Sequence, residues 1–135
     1  MRRRAYLLAA GIGWLLYGVQ VVQDPRPQTV RSAAVLANVA PISAWGWAWV
    51  AGSAVAIIAA ASGRDAWMWV GFACAMYPPL LWGVAYLGAW LTGSYPGAWA
   101  GAATWCGTAV RLLLVAGWRE EQPVAVPSGP EVIRE

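Results

Sequence analysis

Residues 66–91 read AWMWVGFACAMYPPLLWGVAYLGAWL, a run without a single charged side chain. As an α-helix it would be roughly 39 Å long, enough to cross a hydrocarbon core of about 30 Å with some tilt. Three more stretches of the same character flank it, at residues 5–22, 41–62 and 96–118, the shortest spanning roughly 27 Å by helix rise. Lipid cannot satisfy free backbone N–H and C=O groups, and none of the four stretches alternates apolar with polar residues as a barrel strand would. The expected fold class is therefore all-α, an integral membrane four-helix bundle formed by residues 1–118. A flexible cytoplasmic tail over residues 119–135, rich in Pro and Glu, is expected to follow it.

Composition supports this reading. The chain has 135 residues, 60% of them hydrophobic and only 11% charged, against about 25% charged in an ordinary soluble domain. Its 11 Trp stand beside 1 Phe, and Trp gains most at a membrane interface, with its ring in the acyl region and its N–H among head groups. Every basic residue is Arg. The net charge of +3 is small and scattered, so no nucleic-acid partner is expected.

Arg placement predicts orientation. Arg2, Arg3 and Arg4 precede the first stretch, Arg64 lies between the second and third, and Arg119 follows the fourth. With four crossings all five share one side, which the positive-inside rule makes the cytoplasm, giving an N-in/C-in protein of the cytoplasmic (inner) membrane. Arg26 and Arg31 are left outside. The start resembles a signal peptide, but Gln20-Val21-Val22-Gln23-Asp24-Pro25 lacks the small-x-small cleavage pattern, so an uncleaved helix is expected. Trp45, Trp47, Trp49, Trp90, Tyr95 and Trp99 would form the outer aromatic belt, and Trp67, Trp69 and Trp118 the inner one. Between the first two stretches, Thr29 could cap a short interfacial helix over residues 30–40 with Val35, Leu36 and Val39 on one side; a plain connector is the alternative.

The expected chemistry is sparse. No Asp, Glu, His or Lys lies between the predicted helix ends, so no catalytic, cofactor-binding or metal site is expected, and no cofactor. Arg111 is the one intramembrane charge. It either snorkels to the inner boundary or faces the bundle interior. Pro78 and Pro79 remove the N–H groups that would bond the Cys74 and Ala75 carbonyls, which predicts a kink in the third helix. Ala48, Gly52, Ala56 and Ala60 form a small-residue stripe on the second helix, Gly97 and Gly101 a GxxxG on the fourth, and Ala9 and Gly13 a shorter stripe on the first. Such stripes are expected at helix–helix contacts, within the chain or between copies in a homo-oligomer. Trp14, Trp82 and Trp105 fall nearer mid-depth and need partners, which Gln20, Tyr17, Tyr77, Tyr86, Ser53, Thr104 and Thr108 could supply. Cys74 and Cys106 are expected at comparable depths, without a disulfide.

The embedded Glu of small multidrug exporters, the Asn and Phe set of dual-topology fluoride channels and the CxxC of quinone-linked disulfide-forming enzymes are all missing. The run Gly13-Trp14-Leu15-Leu16-Tyr17-Gly18, the Asp24-Pro25-Arg26 turn, the Trp-rich start of the second helix and the Gly63-Arg64-Asp65 turn resemble small four-span membrane proteins of actinobacteria and their phages. That resemblance implies a holin-like, non-enzymatic pore former that assembles in the lipid bilayer. A structural or regulatory membrane-protein partner is the alternative: an accessory subunit, a lysis modulator or a superinfection-exclusion factor.

Overall fold

The structure, a computed structural model, describes residues 2–118, apart from the side chains of Gln28 and Ser32. Within them it is all-helical: α1 (Arg2–Gln23), α2 (Pro27–Ser32), α3 (Ala34–Ala37), α4 (Ile42–Ser62), α5 (Asp65–Leu91) and α6 (Ala98–Ala116). α1, α4, α5 and α6 are long and apolar enough to cross a membrane. The expected tail, with Arg119, lies outside the described residues.

Helix limits follow local chemistry. α1 begins at Arg2, three residues before the apolar run, because Arg is a good helix former and nothing there breaks the turn. Pro41 in an extended conformation ends the connector and caps α4. Gly63, at φ 72°, closes α4 in the left-handed conformation that Gly adopts at least cost, and Asp65 opens α5 in the first turn. Arg4 donates to the Gly63 carbonyl and lies 3.4 Å from the Asp65 carboxylate, tying the start of α1 to this turn. The pair is exposed, so Arg4→Ala is expected to change unfolding free energy by at most about 1 kcal/mol in a detergent denaturation series. Arg3 packs over the rings of Trp69 and Phe72, 5.4 and 5.8 Å from their centroids.

The long helices form a curved row in the order α1, α4, α5, α6, each packed along its neighbour, while α1 and α6 touch only in places. The α1/α4 contact is glycine against glycine. A Cβ on Gly18 would stand 3.0 Å from the Gly46 carbonyl oxygen, and one on Gly46 would stand 3.0 Å from the Val22 nitrogen. Backbones this close gain dispersion contacts along the whole seam.

α5 continues as helix through Pro78 and Pro79, both buried. The Cys74 carbonyl, deprived of a donor by Pro78, faces α4: a Cβ on Gly52 would lie 2.8 Å from it. The prolines and Gly52 thus belong to one helix–helix contact.

The 23–40 connector is neither a single helix capped by Thr29 nor a plain loop. Pro27, whose missing N–H costs nothing in a first turn, starts α2, and the helix breaks at Ala33 before α3. Thr29, Ala33 and Leu36 turn inward over the end of the bundle, and the Leu36 carbonyl accepts a hydrogen bond from Trp45 Nε1 at 3.0 Å. Val35 and Val39, expected beside Leu36, face outward with Val30.

Candidate functional site

Five aromatic side chains from all four long helices meet at one level. Trp49 of α4 is the centre, wholly buried, with ring centroids of Trp14 at 5.5 Å, Tyr17 at 4.8 Å, Trp82 at 5.7 Å and Trp105 at 5.3 Å. All four of these pairs are edge-to-face, the geometry that sets a positive ring edge on a negative face. Trp82 Nε1 donates to the Tyr17 hydroxyl at 3.0 Å. The N–H groups of Trp14 and Trp49 find no acceptor among the described residues.

Trp49 is a correction to the belt assignment. Trp47 is 60% exposed and Trp45 half-buried, but Trp49 is 0% exposed. The helical repeat turns it inward with Gly46, Ser53 and Ala56, all buried, and opposite Trp47. That spacing was the available signal. Trp67, Trp69, Trp90, Trp99 and Trp118 are exposed.

The same cluster explains the open side of the row. Trp14 and Tyr17 of α1 reach Trp105 of α6 at centroid distances of 6.2 and 5.2 Å, bridging the two helices. Nearer the Arg2 end no such bulk fills the gap, and a cleft of about 290 Å³ opens. Tyr6, Ala9, Ala10, Gly13 and Trp14 form one wall, Thr108 and Arg111 the other. Ala9 and Gly13, expected at a helix contact, therefore line open space; a Cβ on Gly13 would meet nothing within 4 Å. Arg111 is exposed at the edge of this cleft, not in the bundle interior, and has no ion pair or hydrogen bond among the described residues.

The other small residues divide. Ala56 and Ala60 are buried, and Ala48 and Gly52 are half-buried on α4, with Gly52 against α5. Gly101 accepts the ring of Tyr86 from α5. Gly97, expected beside it in a helix contact, meets only Tyr95 of its own turn, because it caps α6 and lies beyond the α5 contact.

The polar side chains do not line a continuous seam. Ser53 and Thr92 bond carbonyls of their own helices, as do Thr104 at 2.9 Å and Thr108 at 2.8 Å. Tyr77 is exposed and Gln20 bonds the Asp24 carbonyl. The cysteines are also not level. Cys106 packs against Gly83, which follows Cys74 on α5 by nine residues, roughly 13 Å along the axis.

The chain matches no protein-family model, no curated protein and no solved structure.

Proposed function

We propose that the chain is a four-span protein of the cytoplasmic membrane, N-in/C-in, acting without enzymatic chemistry as a holin-like pore former that assembles from several copies. What supports the reading is the outward face of α6. Ala100, Ala103 and Gly107 are exposed there, and a Cβ on Gly107 would meet nothing within 4 Å. In lipid, a small-residue ridge unused by the chain's own packing lets a second helix approach closely, and dispersion favours that approach. Thr104 flanks the ridge with an exposed hydroxyl that could face water in an assembled pore. The orientation rests on the Arg residues gathered at the Arg2 end and in the α4–α5 turn.

Induced expression in a bacterial host, with membrane potential followed in time, tests this. Wild type is expected to depolarise the cell abruptly and kill it. Gly107→Leu, which fills open space and leaves the fold alone, is expected to delay depolarisation severalfold or abolish it. An unchanged potential with wild type verified in the membrane would overturn the pore reading. A second reading, a structural or regulatory membrane partner, draws support from the α2–α3 segment, whose outward Val30, Val35 and Val39 form an apolar face at the loop end. Co-purification with a second membrane protein would then be the result to seek.

A further inference from the structure

We infer that the α1/α6 cleft is a binding site for one anionic phospholipid, its phosphate on Arg111 and the upper part of an acyl chain along Ala9, Ala10 and Gly13. This rests on the reading that the long helices cross a membrane and is independent of pore formation.

Four observations converge on it. First, the cleft is built into the fold: the Trp14–Tyr17–Trp105 bridge holds α1 and α6 apart at one level and leaves them separated below it. Its volume of about 290 Å³ is at the lower edge of the roughly 300–1,000 Å³ usual for small-ligand sites. Second, its floor is apolar and shallow, because Ala9, Ala10 and Gly13 bring little beyond backbone to the wall. A flexible hydrocarbon chain fits such a groove, and Trp14 gives it a flat end wall. Third, Arg111 is a cation with no counter-charge among the described residues. A guanidinium surrounded by apolar helix surface needs an anion, and its planar fork matches two oxygens of a phosphate.

Fourth, the depth is right. Arg111 lies five residues before Ala116, the last residue of α6, or about 8 Å from the Arg2 end by helix rise. An extended Arg spans much of that distance, so its charge comes near the level where phosphates sit. Tyr6 lines the opposite wall. Arg2, Arg3, Arg4 and Arg64 gather at that end, where anionic lipid would be enriched around the protein. An anion alone would find no use for the apolar groove, and a neutral lipid none for a guanidinium without a counter-charge among the described residues.

The purified full chain in detergent micelles, titrated separately with phosphatidylglycerol and phosphatidylcholine and read by native mass spectrometry, tests the site. One phosphatidylglycerol is expected to bind first, about tenfold more tightly than phosphatidylcholine. Arg111→Gln is expected to reduce that preference about five- to tenfold, and Arg111→Lys to restore part of it. Gly13→Leu fills the groove at a position with open space around it and should weaken binding of both lipids. Arg2→Gln, outside the cleft, should leave the preference intact. Preference unchanged in Arg111→Gln would overturn the site, as would preference lost in Arg2→Gln. Dimers that disappear in Gly13→Leu would also overturn it, because a second copy would then fill the cleft. Failure of wild type to float with phosphatidylcholine vesicles would overturn the membrane reading, and the lipid site with it.

Discussion

Trp49→Ala is expected to lower unfolding free energy by about 2–4 kcal/mol in a detergent denaturation series, the largest loss from any single truncation in the bundle. The ring is wholly buried and touches aromatic partners on each of the other three long helices. In lipid the loss is one of dispersion contacts and of a filled cavity, because an exposed indole there is not in water; the expected cost falls somewhat below that of a soluble core. Trp49→Phe discriminates between contact and hydrogen bonding. The Trp49 N–H has no acceptor among the described residues, so phenylalanine keeps a ring and removes an unsatisfied donor. It is expected to cost less than half as much as alanine. An alanine variant as stable as wild type would contradict the packing centre.

The second large effect belongs to Gly52. A side chain there meets the Cys74 carbonyl oxygen at 2.8 Å and Pro78 Cγ at 3.5 Å, and the oxygen is backbone that cannot rotate aside. Gly52→Leu is expected to separate α4 from α5 and destabilise the chain by about 2–3 kcal/mol, seen as an earlier unfolding midpoint. Gly107→Leu should change stability by less than about 0.5 kcal/mol. The two variants thus separate folding from assembly: loss of function in Gly52→Leu reports on the monomer, and only Gly107→Leu reports on contact between copies. Equal destabilisation by both would mean that the outward face of α6 is already occupied.

Much of the fold was legible because its cause is one-dimensional. Uncharged runs of the right length, Pro and Gly at their ends, and Arg at one set of ends can all be read along the chain. Side assignment was harder. Small residues mark where helices can approach, but α4 has them on several faces, so Gly46, which receives α1, was indistinguishable by type from Gly52, which receives α5. The Ala9/Gly13 stripe carries the same composition and faces a cleft, because whether a stripe is covered depends on where α6 lands. That landing is set by Trp105 meeting Trp14 and Tyr17, a contact between distant parts of the chain. Trp49 was misplaced for a related reason: depth suggested a belt, while the rotation of α4 put it in the core. Arg111 was recognisable as unusual, but its two readings differed only in direction. The cysteines were set level by assuming that α5 and α6 align at their ends; the Gly83–Cys106 contact fixes a different register.

The most direct measurement is the side of the membrane on which each turn lies, read with a membrane-impermeant maleimide on intact and permeabilised cells. Single cysteines would be placed at Arg64 and Ser94 in a chain carrying Cys74→Ala and Cys106→Ala. Ser94→Cys is expected to label in intact cells and Arg64→Cys only after permeabilisation, which is the pattern of four crossings with both ends inside. Labelling of Arg64→Cys in intact cells, or of both positions from the same side, would contradict it.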